Sequence, residues 1–291
     1  MNMSKELTCL GYILVAGVMA DGGLLGQDTK LAKQFHHSFK DNPAARQGFE
    51  LFGQDAAKRV QFEKDGLRIT LPGGVRGTTG VETRIDVGGD FEITMAFEVL
   101  AEPAPAGGRD KQTRFTLDIV LDKPGLNAAS LSRTIYGKGI EVVTWSALQP
   151  DDAAKPTTSM HYFSAAAKNM RLRLVRTGAA LAYFHAEGDD QDFVRLHEDP
   201  FGTENLRTIR CVAATGAAGG ALEVRVADLR IRAESLDRTT GDDAPTSPRS
   251  YWWMFPAAAL TLVLCVGLLM RRLNTRNQKS GIRSQKSEVD S

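Results

Sequence analysis

The stretch Asp90–Leu100, "DFEITMAFEVL", decides how the rest of the chain is read. Phe91, Ile93, Met95, Phe97 and Val99 fall on one side of an extended chain, with Glu92, Thr94 and Glu98 on the other. A period of two is what a strand with one buried face requires. Upstream, "LRITLP" from Leu67 and "VETRIDV" from Val81 alternate in the same way. Downstream, "RFTLDIVLD" places Phe115, Leu117, Ile119 and Leu121 together. "IEVVTWSAL", "MRLRLVR", "ALAYFHAEG", "DFVRLHE", "NLRTIRCVAA" and "ALEVRVADLRIRAE" continue the series.

Turn formers separate these runs: "PGG" at Pro72, "VGGD" at Val87, "KPGLN" at Lys123, "GKG" at Gly137 and "GAAGG" at Gly216. No long helical period interrupts them. About a dozen short strands with turns every 8 to 12 residues predict an all-β, two-sheet antiparallel sandwich. Two longer loops, after Ala101 and after Gln149, are where such a scaffold carries binding residues. In the last run, Leu222, Val224 and Val226 share one phase, but Leu229 and Ile231 resume on the other. A bulge near Asp228 would keep all five inside.

The ends predict a different environment. Lys5 precedes an apolar stretch from Leu7 to Ala20, closing on Val18-Met19-Ala20, which reads as a signal peptide over 1–20. Residues 21–34 form an N-terminal segment and 35–234 the sandwich domain. A Pro-containing stalk covers 235–250. Tyr251 to Met270 carries no charge, and a run of about 20 apolar residues crosses a bilayer core about 30 Å thick. A transmembrane helix over 251–270 follows, with Tyr251, Trp252 and Trp253 at one interface and Arg271 and Arg272 at the other. The basic tail, 271–291, is then cytoplasmic by the positive-inside bias, and the sandwich lies outside the cytoplasm, in the periplasm or at the cell surface.

The whole chain has 36 Lys/Arg and 35 Asp/Glu; the tail holds six and two of these, leaving 30 against 33. That balance excludes a nucleic-acid footprint. Of three cysteines, Cys9 is in the leader and Cys265 in the span, so Cys211 stands alone and no internal disulfide can staple the domain.

"LRLVRTGAALAYFHAEGDDQDFVRLHE" resembles the strand–turn–strand and acidic loop of concanavalin A-like lectin/glucanase sandwiches of the laminin-G type. "GLRITLP" and "GDFEITMAFEVLAEPAPAGG" resemble more closely the domain-of-unknown-function family 1583 of exported planctomycete proteins. The likeness runs from Phe35 to Ala233 and implies a jelly-roll sandwich. Because lectins, glycosidases and adhesion modules share that fold, it leaves the activity open.

Candidate sites are few. Glu187, Asp189, Asp190 and Asp192 offer hard oxygen ligands for calcium, against a hairpin turn built from the same residue types. Turn chemistry is the expectation, with no cofactor and calcium as the alternative. Asp90 and Glu92 are the nearest approach to the alternating acids of the family's glucanases, but the spacing is broken after Glu92. Trp145, with Tyr136 and Tyr162, could stack on a sugar ring. His36, His37, His161, His185 and His197 show no metal-ligand spacing and read as structural. The expectation is non-catalytic recognition of a glycan or an envelope protein, with lipid contact through the C-terminal helix. The alternatives are a diverged glycosidase and a purely structural envelope protein.

Overall fold

The computed structural model describes residues 30–238 apart from 42–45, 47, 84, 106, 109–110, 138, 152–154 and 218. The leader, most of the stalk, the span and the tail expected from the sequence lie outside the described residues. Among the described residues no helix is long and apolar enough to cross a membrane. The chain divides into two units between Thr239 and Thr240, and every described strand belongs to the first.

Fifteen strands follow in order: β1 (Lys33–Ser38), β2 (Phe49–Gly53), β3 (Val60–Glu63), β4 (Gly66–Leu71), β5 (Gly77–Thr83), β6 (Ile85–Ala101), β7 (Thr113–Leu121) and β8 (Ala128–Tyr136). Then come β9 (Gly139–Leu148), β10 (Thr157–Ser164), β11 (Asn169–Thr177), β12 (Ala180–Glu187), β13 (Val194–Pro200), β14 (Leu206–Thr215) and β15 (Leu222–Arg238). A single helical turn, α1 (Ala56–Arg59), sits between β2 and β3. Every pairing is antiparallel.

One sheet runs β2-β5-β14-β7-β8-β9-β10. The other runs β13-β12-β11-β6-β15, with β1 and β4 sharing the far side of β15 and β3 added to β4. They join at Leu206↔Val87, where β6 begins. Between them lies one apolar core. Phe91, Ile93, Met95 and Phe97 of β6 meet Phe115, Leu117 and Ile119 of β7, and the Phe97 and Phe115 rings stand 4.8 Å apart. The alternation that marks these strands in the sequence is thus the alternation between core and outer face.

The phase change in β15 is a bulge. Val226 pairs with Phe97 and Asp228 with Ala96, so Ala227 is the extra residue. Leu222, Val224, Val226, Leu229 and Ile231 are all buried as a result.

Several strands are not legible as alternation. Both faces of β8 are covered (burial is nearly continuous from Ala128 to Ile135), so period two has nothing to mark. Strand β10, "TTSMHYFS", is an edge strand without a buried apolar row. "VETRIDV" reads as one strand but is two: β5 pairs with β2 and β14, and the chain then enters β6, which pairs chiefly with β11 and β15.

Candidate functional site

The outer face of the first sheet concentrates polar and aromatic side chains. Register aligns one row across all seven strands: Glu50↔Glu82, Glu82↔Arg210, Arg210↔Asp118, Asp118↔Ser130, Ser130↔Trp145 and Trp145↔Met160. Asp118 is flanked by the core residues Leu117 and Ile119, and Arg210 by Ile209 and Cys211. The adjoining row holds Phe52, Gly80, Val212, Thr116, Ser132, Val143 and Tyr162.

Arg210 is fixed in place. Its Nε donates to Glu82 Oε2 at 2.8 Å, and its guanidinium lies 4.5 Å from the Phe52 ring centroid. Beside it, burial pushes the Asp118 carboxyl up to about 6, against the pull of Arg114 and Arg210. A guanidinium, a carboxylate and a carboxyl near its titration point thus sit side by side. On the inner side of β14, burial first and the Asp118 charge second push the Cys211 thiol up to about 12.

The aromatic candidates gather at the other end of the row. Trp145 is half-buried, and Tyr162 and Met160 are exposed at 47% and 48%. The Tyr136 and Tyr162 rings are 6.1 Å apart, and the Tyr136 hydroxyl donates to Glu141 Oε2 at 2.7 Å. All three aromatic residues singled out from the sequence therefore share this face. The Asp118–Arg210–Glu82 part of the row is missing from the sequence reading. Its signal was present, because an acid between Leu117 and Ile119 must face away from the core, but alignment with Trp145 needs four registers the sequence does not carry.

Asp90 and Glu92 belong to the second sheet. Asp90 takes Lys30 Nζ at 2.5 Å and the Gly178 amide at 2.7 Å. Burial works to raise its pKa, yet Lys30, the Gly178 amide and Arg176 outweigh it and hold the carboxyl below the usual range. Glu92 lies on the outer face, with Arg173 Nη1 3.8 Å away. The acidic turn is also engaged by its own surroundings. Glu187 accepts from the Ala166 and Ala167 amides at 3.1–3.4 Å, Gly188 donates to the Asn169 carbonyl at 2.8 Å, and Asp189, Asp190 and Asp192 are exposed. A cleft of about 360 Å³ against the second sheet includes Asp189, Glu98 and Arg225.

The molecule these elements define is a two-sheet antiparallel β-sandwich with a polar, aromatic outer face on one sheet. The chain belongs to the family described as protein of unknown function (DUF1583) C domain, whose model matches residues 20–248. That is the family its "GLRI" and "GDFEIT" strands resemble. A search of curated proteins gives no match. Among solved structures, the chain is similar to a legume lectin-like domain from Entamoeba histolytica, at 11% identity and TM-score 0.49, covering 67% of this chain and 96% of that one. It is also similar to the VIP36 exoplasmic/lumenal domain in its Ca2+/Man3GlcNAc-bound form, at 11% identity and TM-score 0.46, with 72% and 93% covered. A third is Rv0315 of Mycobacterium tuberculosis, an immunostimulatory antigen and pseudo beta-1,3-glucanase, at 12% identity and TM-score 0.47, with 68% and 98% covered.

Proposed function

We propose that this chain is an exported, membrane-anchored protein whose sandwich recognises carbohydrate without transforming it, on the outer face of the first sheet. The observation that carries the reading is the row from Glu50 to Met160, which sets charged, hydroxyl and aromatic side chains along one line of register. Sugars present apolar C–H faces and hydroxyl edges. Trp145 and Tyr162 suit the first, and Asp118, Ser130, Glu82 and Arg210 suit the second. Because Glu82 and Phe52 already hold Arg210, little ordering cost remains when a ligand arrives. The charge-free stretch from Tyr251 to Met270 and the basic tail support an anchor with the sandwich outside the cytoplasm.

Full-length protein in detergent, applied to an array of immobilised glycans, is expected to bind one glycan class saturably. Trp145→Ala should lower that binding at least tenfold while the far-ultraviolet circular dichroism is unchanged. Saturable binding that survives Trp145→Ala would exclude this face. No binding to any glycan would set aside carbohydrate recognition.

Asp118 supports a second reading. A carboxyl that keeps its proton to about pH 6 has the character of a general acid in glycoside hydrolysis. New reducing ends released from the bound glycan, and abolished by Asp118→Asn, would favour that reading over recognition alone.

A further inference from the structure

The free margin of the sandwich holds a second cluster. Strands β10 and β13 end the hydrogen-bonded path at opposite sides, one per sheet. His161 is on the inner phase of β10, opposite Thr144. His197 and Asp199 are two residues apart on β13, opposite Tyr183 and Leu181, so both face the same way. Across the gap the imidazole rings of His161 and His197 stand 3.7 Å apart, centroid to centroid. One ligand atom from each of His161, His197 and Asp199 lies within 4.8 Å of the other two. Among the described residues this is the set of histidine, cysteine and carboxylate side chains that converges so.

The carboxylate is oriented from behind. Ser146 Oγ on β9 donates to Asp199 Oδ2 at 2.9 Å, and His197 Nε2 lies 2.9 Å from Oδ1. Tyr183, buried on β12 opposite His197, holds its ring 6.4 Å from the His197 ring, centroid to centroid. Ser159 Oγ lies 3.0 Å from His161 Nε2. Such outer partners fix the rotamers of metal ligands and raise their basicity. Asp199 is buried, whereas His161 and His197 remain partly open, so an ion can enter from solvent.

We propose that His161, His197 and Asp199 bind a first-row divalent transition metal, Zn2+ by its ligand preference, as a clasp between the edge strands of the two sheets. Two imidazoles and one carboxylate make a three-ligand zinc set that leaves a fourth position for water. Calcium and magnesium are poorly matched, since they take six or more ligands, mostly oxygen. A clasp here closes the margin where β10 and β13 share no ladder, and an ion that binds only the folded state stabilises it by mass action.

The test uses the full-length protein, stripped with a chelator and titrated with Co2+ and Zn2+ alone. We expect one equivalent of Co2+ to develop the visible absorption of a low-coordinate site, Zn2+ to displace it, and Zn2+ to raise the melting temperature. His161→Gln and His197→Gln should each weaken Zn2+ binding at least tenfold and remove the rise, and His36→Gln should leave both intact. In the wild-type protein, Zn2+ should slow diethyl pyrocarbonate modification of His161 and His197 relative to His36, which keeps the assignment open to test if a variant fails to fold. Absence of a saturable Co2+ spectrum would overturn the proposal. So would wild-type Zn2+ affinity in both histidine variants, or unprotected His161 and His197 at saturating Zn2+. None of these readouts depends on carbohydrate binding.

Discussion

Asp118 shows how one half-buried group couples a surface to stability. The folded protein keeps its proton to about pH 6, whereas an unfolded aspartate loses it near its ordinary value of 3.8. Between those values the native state binds more protons than the unfolded one, so this group's contribution falls as pH rises. Asp118→Asn should therefore stabilise the protein at pH 7 by about 1–3 kcal/mol relative to its effect at pH 4, from about 1.4 kcal/mol per pKa unit. Urea unfolding at the two pH values checks it; an equal effect at both would place the group in water. Gly80 is constrained differently. A Cβ there would run into the Cys211 carbonyl and the Val212 Cα of β14. Gly80→Ala should then destabilise by about 1–3 kcal/mol through the forced shift, read as a lower urea midpoint. Neither residue declares its role in sequence. The polar position of Asp118 was legible from its neighbours, but its surroundings were not, because one of the two strands that flank it, β14, comes from a distant part of the chain.

At the scale of strands, the sequence is informative where a strand has one wet face and silent where it has two dry ones or none. Strands β6, β7, β11 and β15 were legible because Phe91, Leu117, Leu172 and Val224 alternate with polar partners. Strand β8 hides its period under cover on both faces, and β10 has no buried apolar row. With β10 unread, its His161 had no visible route to His197, although His197-x-Asp199 already signals two ligand types on one face. The bulge at Ala227 is the sharpest of the legible features. Deleting Ala227 would remove the extra residue, so that Val226, Leu229, Ile231 and Ala233 follow a strict period of two and still face the core, with Asp228 opposite Ala96 as before. The expected result is that cooperative thermal unfolding is retained, with a lower melting temperature from loss of the Phe39 amide to Ala227 carbonyl bond; loss of cooperative unfolding would show that the bulge itself is required.

At the scale of the whole molecule, the two sheets have separate outer characters. The second sheet faces outward with ion pairs such as Arg68–Glu223 at 2.7 Å and Arg225–Glu98 at 3.6 Å, and with Arg173 3.6 Å from the Phe193 ring centroid. Its charges largely answer one another. The first sheet instead presents aromatic rings and a half-buried carboxyl along one line of register. Met160 closes the line beside Trp145 and is exposed, whereas Met95 and Met170 are buried in the core. The most direct measurement is the rate of peroxide oxidation of each methionine in full-length protein, followed by peptide mass, with and without a saturating glycan identified on the array. Glycan bound on this face is expected to slow Met160 oxidation several-fold and to leave Met95 and Met170 unchanged. An unchanged Met160 rate at saturation would contradict it and move the binding surface off the first sheet.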